Sequence, residues 1–188
     1  GRATDEMRAR FHLGTLSNPV FPEVYRRPAT GAGGTMLAAE LLGRAPGVIH
    51  VPGGGTHHGL RARANGFCYL NDPVLGILTA QRAGLSRVAY IDIDAHHADG
   101  VEAAFAGDPS VLMISIHEEN RWPFSGLITD QGCGNCFNLP VPKGYNDTEA
   151  RSTLHDGVIS HCNALAAALG ARAGQTCAAL IDALGALE

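Results

Sequence analysis

Val88-Ala89-Tyr90-Ile91-Asp92-Ile93-Asp94-Ala95-His96-His97-Ala98-Asp99-Gly100 is the stretch on which the fold turns. Its first half is apolar on both faces until the acids arrive, which is the pattern of a central parallel strand covered by helices. The strand is predicted over Val88 to Asp94, with function gathered at its carboxyl end. Upstream, Pro73 stands where the first turn of a helix tolerates proline. Asn71 and Asp72 are ready to cap that helix, which runs through Leu75, Ile77, Leu78 and Ala80 to Gly84. Further back, Met36, Leu37, Ala38, Leu41 and Leu42 predict a helix over Gly33 to Leu42, and Val48-Ile49-His50-Val51 reads as a short strand. The first 30 residues, broken by Pro19, Pro22 and Pro28, read as loop with a short helix over Asp5 to Phe11. Downstream, Val101 to Ala106 predicts a short helix and Val111 to Ile116 a second buried strand. Glu118 to Gly134 reads as a polar loop and Asn138 to Val141 as an extended piece. Asp147 to Gly170 predicts a long helix and Thr176 to Ile181 a last strand. This alternation predicts a single α/β domain over 1–188, a mostly parallel sheet with helices on both faces in three layers.

Composition narrows the function classes. Hydrophobic residues are 45% and charged residues 17% of 188, so the chain is neither a disordered polyelectrolyte nor a fibre. No apolar run approaches the roughly 20 residues of a membrane helix. A net charge of −4 gives no basic footprint for direct nucleic-acid binding, while a locally cationic protein partner stays open. Five cysteines in no framework spacing fit reduced thiols, and with no charged and apolar leader visible the expected location is cytoplasmic. Lys143 is the one lysine among 14 basic residues; with the abundant alanine, this reads as the usage of a GC-rich bacterial genome.

Five ionisable groups crowd the eight positions from Asp92 to Asp99. Asp92, Asp94 and His96 fall at every second position, so they share one side for as long as the chain stays extended. Carboxylates at the end of an apolar strand are costly without a cation or donors, so the cluster asks for a metal. One oxygen donor from Asp94 and one nitrogen donor from His96 suit Zn²⁺, with Fe²⁺ and Co²⁺ overlapping in preference. A second pair, His57-His58, follows Gly53-Gly54-Gly55-Thr56; in such a turn both rings can face one cleft, and they read as acid–base groups more than ligands. Cys133-Gly134-Asn135-Cys136 is a single Cys-x-x-Cys without a second pair, and it is left without a function.

Four ordered stretches, Gly54-Gly55-Thr56-His57-His58, Gly66-Phe67-Cys68-Tyr69-Leu70-Asn71-Asp72, Tyr90 to Val101, and Ser115-Ile116-His117, resemble the histone deacetylase family, which includes acetylpolyamine amidohydrolases and acetoin-utilisation proteins. The resemblance implies the arginase/deacetylase-like fold and hydrolysis of an acetylated amine, in a protein lysine or a polyamine. It also implies roles: His57 and His58 as the catalytic pair, Asp92 and Asp99 as the carboxylates that orient them, and Asp94 and His96 as zinc ligands. Gly66 and Phe67 would line the tunnel for the acyl-lysine stem, with Phe124 as the opposite aromatic wall. Asp92, Asp94, His96, Ser115 and Ile116 would form an inner monovalent-cation site for a structural K⁺, with Phe105 and Val111 contributing carbonyls to an outer one.

The third zinc ligand implied by the resemblance is Asp182, in Leu180-Ile181-Asp182-Ala183, where Leu180 replaces the glycine usual in the family. The family's transition-state tyrosine has no counterpart among the 188 residues, so the chain is expected to be the middle of a deacetylase domain, cut at both ends and a poor catalyst by itself. Two further readings stay open. One is a ureohydrolase-type enzyme using two manganese ions, although its Asp-Ala-His-x-Asp spacing is one residue shorter than Asp94 to Asp99. The other is a non-catalytic module that binds acyl-lysine.

Overall fold

The computed structural model describes residues 3–146. Elements follow in the order α1 (Asp5–Phe11), α2 (Arg26–Leu42), α3 (Asp72–Arg82), β1 (Val88–Asp92), α4 (Asp99–Phe105), β2 (Val111–Glu118) and β3 (Cys136–Val141). The predicted helix over 147–170 and strand over 176–181 lie outside the described residues.

The α1 helix begins at Thr4, whose hydroxyl accepts the Met7 N–H at 3.2 Å, with Asp5 and Glu6 in the first turn where the helix dipole favours acids. Helix α2 starts seven residues before the predicted Gly33. Pro28 falls in its first turn, where the missing N–H would have had no intrahelical partner, so this proline starts a helix rather than marking a loop. Asn71 caps α3 as expected, its side chain accepting the Val74 N–H at 3.0 Å with Pro73 just inside.

The three strands are parallel in the order β1-β2-β3, with Val88 opposite Val111, Asp92 opposite Ser115, and Met113 opposite Cys136. Two strand expectations change. Among the described residues the central strand is β2, buried at six of its eight positions, whereas β1 leaves Ile91 55% exposed. Val48 to Val51 forms no strand among the described residues, and Val48 is 99% exposed. An apolar side chain favours a strand only when a neighbouring ladder buries it, and none of the described strands supplies one there.

The core is the cluster Ile77, Val101, Phe105, Val111, Met113 and Cys136, each at most 6% exposed, which locks α3 and α4 onto the sheet. Burying such side chains stabilises the fold by about 1.5–3 kcal/mol each. Asn135, with no exposed surface, fastens the junction of α4 and β2: its Nδ2 donates to the carbonyls of Phe105, Asp108 and Val111 at 2.8, 3.0 and 2.8 Å. No described helix is long and apolar enough to cross a membrane.

Candidate active site

The loop carrying the histidine pair is tied down from behind. Asp72, 3% exposed, accepts from Thr35 Oγ1 at 2.7 Å, Gly55 N at 3.2 Å, Thr56 N at 2.7 Å and Thr56 Oγ1 at 2.6 Å. Four donors compensate the burial of that carboxylate. Asn71 Nδ2 reaches the carbonyls of His57 and Gly59, both at 2.9 Å, so the residues that begin α3 also fix the backbone on either side of His58. Neither role was legible beyond helix capping, because the partners lie 12 to 37 residues away in sequence.

Each histidine is oriented by the carboxylate expected for it. His57 Nδ1 lies 2.5 Å from Asp92 Oδ2, and His58 Nδ1 lies 2.6 Å from Asp99 Oδ1. With Nδ1 donating to a carboxylate, the free lone pair of each neutral ring is on Nε2. The two Nε2 atoms face one another at 3.0 Å, and both rings are nearly buried. Burial works against a charged His57, but the hydrogen bond and charge of Asp92 outweigh it and hold its pKa above that of an ordinary imidazole. Asp92 resists its own burial in the same way: His57, the Tyr90 hydroxyl at 2.5 Å and the Asp94 N–H at 2.9 Å hold its carboxyl below the usual range. Asp99 also accepts from Asn65 Nδ2 at 2.9 Å, across 34 residues of sequence that no local pattern connects.

The chain stops being extended at Asp92, earlier than expected, yet Asp94 and His96 still meet. Asp94 Oδ1 accepts the His96 N–H and lies 2.8 Å from His96 Nδ1; the turn, not strand alternation, sets them side by side. The Asp94 side chain is 52% exposed and that of His96 36%, and Asp94 Oδ1 stands 3.9 Å from His57 Nε2. Asp92 faces His57 instead of joining them. Among the described residues no group of three metal-ligating side chains occurs, and Asp182 lies outside those residues.

The aromatic ring set against this site is Trp122. It meets the His58 ring edge-on, with centroids 4.7 Å apart at 73°, and lies 6.1 Å from the His96 ring. Phe124, expected as the wall opposite Phe67, is 74% exposed and makes no ring contact with the site among the described residues. Gly66 explains the fit: a Cβ there would come within 2.3 Å of Trp122 Cη2 and 2.9 Å of His58 Cδ2. Phe67, next to it, is 65% exposed. The Trp122 loop is held by a second, fully interior pair of histidines. His97 bridges Ser125 Oγ at 2.9 Å and Glu102 Oε2 at 3.2 Å, and His117 bridges Ser115 Oγ and the Gly126 carbonyl, each at 3.0 Å.

For the inner cation site, the strand register sets Asp92 opposite Ser115, whose hydroxyl is engaged by His117 and, at 3.4 Å, by the Ala98 N–H. The carbonyls of Phe105 and Val111, expected at an outer site, both accept from Asn135. Cys133 and Cys136 are free thiols that converge on Asn135 Oδ1 at 3.3 and 3.6 Å. Cys133 is exposed, while burial pushes the Cys136 thiol up to about 12. At pH 8, iodoacetamide is therefore expected to alkylate Cys133 at least about 10²-fold faster than Cys136, since the thiolate is the nucleophile. Peptide mapping by mass spectrometry reads the ratio; equal rates would show that Cys136 is not held in the core.

The profile of the histone deacetylase domain matches residues 2–167. The acetoin utilization protein AcuC of Bacillus subtilis is 40% identical over 149 residues, covering 75% of this chain and 38% of that protein. Histone deacetylase HDAC1 of Drosophila melanogaster is 40% identical over 157 residues, covering 80% of this chain and 30% of its own length. Among solved structures, an HDAC homolog from Aquifex aeolicus superposes with a TM-score of 0.74 at 37% identity, over 80% of this chain and 42% of that one. An HDAC homolog complexed with SAHA superposes with a TM-score of 0.72, also at 37% identity, over 78% of this chain and 41% of that one. The fold is thus the arginase/deacetylase fold expected from the sequence, and the chain spans 30 to 42% of the length of these relatives. Paired histidines on paired carboxylates, four motifs in order and a profile match over most of the chain have one meaning: the chain belongs to the histone deacetylase family.

Proposed function

We propose that this chain carries the water-activating machinery of a zinc-dependent deacetylase, which hydrolyses an acetylated amine, in a protein lysine or a polyamine, to acetate and the free amine. The observation that carries the reading is the convergence of His57 Nε2 and His58 Nε2 at 3.0 Å, each ring backed by its own carboxylate and both beside Asp94 and His96. The donor set fits the metal: Asp94 Oδ1 and His96 Nδ1 offer one oxygen and one nitrogen side by side, half open to solvent, and Asp182 is the proposed third ligand. When bound there, zinc supplies a Lewis acid for the acetyl carbonyl and makes a water easier to deprotonate.

The rest is done by side chains. The histidine pair holds one proton between its two Nε2 atoms, and Asp92 favours its residence on His57. With the proton on His57, His58 Nε2 is the unprotonated member of the pair, and it takes a proton from the attacking water by giving up its contact with His57. As the C–N bond breaks, His58 Nε2 returns that proton to the departing amine nitrogen, so the amide and one water become acetate and amine. Asp99 keeps the His58 ring in the tautomer that allows this. Trp122 and Phe67 offer apolar surface to a narrow methylene stem, which acetyl-lysine and acetylpolyamines share. A structural K⁺ among Asp92, Asp94, His96, Ser115 and Ile116 belongs to the same reading, with Asp92 and Ser115 adjacent across the strands.

The test has two parts. Elemental analysis after incubation with equal zinc and manganese and dialysis is expected to find one equivalent of zinc per chain; two equivalents of manganese with no zinc would favour ureohydrolase chemistry instead. Acetate release from an acetyl-lysine peptide and from an acetylated polyamine is then followed for this chain and for a polypeptide that carries it at the length of its relatives. No acetate from either substrate in the longer polypeptide would sink the deacetylase reading.

A further inference from the structure

Phe67 is held in an unusual way. Asn65 and Cys68 exchange both backbone hydrogen bonds, at 3.1 and 2.8 Å, across a two-residue turn in which Gly66 and Phe67 have φ of 51° and 63°. Both central residues are left-handed, the pattern of a type I′ turn. Glycine adopts it freely, but a side chain with a Cβ resists it. An aromatic residue stays in such a turn only when its surroundings over-determine the backbone.

The surroundings are the Ser17-Asn18 loop, whose buried amide side chain reaches two residues of the turn segment. Asn18, 3% exposed, accepts the Phe67 N–H at Oδ1 at 3.1 Å and donates from Nδ2 to the Ala64 carbonyl at 3.3 Å. It thus grips the turn on both sides. The neighbouring Ser17 carbonyl shares the Phe67 N–H at 2.9 Å. Asn18 itself is fixed by its own loop, its N–H meeting Thr15 Oγ1 at 3.0 Å and its carbonyl the Gly14 N–H at 2.7 Å. On the far side, Asn65 Nδ2 ties the turn to Asp99, the carboxylate behind His58.

We propose that Asn18 is a positioning residue for substrate binding: by holding the Phe67 backbone in the left-handed conformation, it presents the Phe67 ring to the substrate stem at a fixed distance from His58. The role rests on the deacetylase reading for the identity of the stem, but the grip on the turn does not depend on it. Asn18 touches none of the groups that move protons, so its loss should act on binding and leave the chemical step in place.

The first experiment is amide exchange by NMR on the 188-residue chain and needs no turnover. The Phe67 N–H is expected to be protected in the wild type, to exchange about tenfold faster or more in Asn18→Ala, and to stay within about threefold of wild type in Asn18→Asp, which keeps an oxygen for it. Free-peptide exchange at Phe67 in the wild type, or equal losses in the two variants, would overturn the proposal; the wild-type arm judges it even where Asn18→Ala does not fold. The second experiment is binding of an acetyl-lysine peptide to the zinc-loaded chain. Asn18→Ala is expected to raise Kd about 3- to 10-fold with zinc content unchanged, and to add nothing in a Phe67→Ala background. Full additivity in that cycle would place the effect of Asn18 elsewhere. A wild-type chain that binds no acetyl-lysine peptide would count against the deacetylase reading, while the exchange result would still decide the role of Asn18.

Discussion

His58→Ala is expected to lower kcat by about 10² to 10⁴-fold while zinc stays bound, the range typical of a general acid–base group that is not a ligand. The geometry gives the reason. His58 uses Nδ1 for Asp99 and has Nε2 facing His57, so neither nitrogen is free to hold a metal without breaking the pair. On the proposed mechanism, removing the ring would leave the water without its proton acceptor and the amine without its donor. Asp99→Asn should reproduce part of the defect, roughly 10 to 100-fold, because an amide can donate where Nδ1–H needs an acceptor and so loosens the tautomer. The measurement is steady-state turnover of an acetyl-lysine peptide with parallel metal analysis, in the polypeptide of relatives' length. Loss of zinc in His58→Ala would contradict the acid–base role, since it would make His58 a ligand.

Gly100→Ala is expected to destabilise the fold by about 3 kcal/mol or more, lowering Tm by roughly 6–12 °C. A methyl group there would lie 2.4 Å from the His57 carbonyl, 2.6 Å from the Gly59 carbonyl and 2.8 Å from Asn71 Nδ2. These are backbone atoms and the amide that clasps them, so none can turn aside like the end of a flexible side chain. Either α4 withdraws from the histidine loop or the loop withdraws from α4, and in both cases Asp99 and His58 part company. Circular dichroism melting reads the first effect, and the exchange rates of the loop amides read the second. A Tm within about 2 °C of wild type would show that the helix and the loop are not packed as tightly as this.

Much of this was legible in the sequence, for reasons that differ from element to element. Asp92, Asp99, His57 and His58 stood out because ionisable groups are seldom crowded next to a buried strand. Asn71 and Pro73 announced α3 through local capping chemistry, which needs no knowledge of the rest of the chain. The failures are of another kind. Val48 to Val51 was read as a strand from its own β-branched residues, but strand formation is decided by a neighbour. Pro28 reads as a breaker by identity, but position within a helix determines whether proline is tolerated, and it falls in the first turn. Trp122, two residues before the Phe124 expected as an aromatic wall, gives no local sign that its ring meets His58. The deciding fact was the lack of a side chain at Gly66, 56 residues away in sequence, and no spacing rule exposes a contact made through an absence. Asn18, Asn65 and Asp72 were invisible as site residues, since a polar side chain gives no sign of which distant backbone it will grip.

The contact between Gly66 and Trp122 means that side-chain size at these two positions is a single quantity shared between them. A larger residue at 66 has room only if the ring at 122 shrinks by a similar volume, and a smaller residue at 122 leaves a void that a methyl at 66, with its φ of 51°, is poorly suited to fill. A side chain at Gly66 alone must displace either the Trp122 ring or the His58 ring, so neither position can be reshaped without regard to the other.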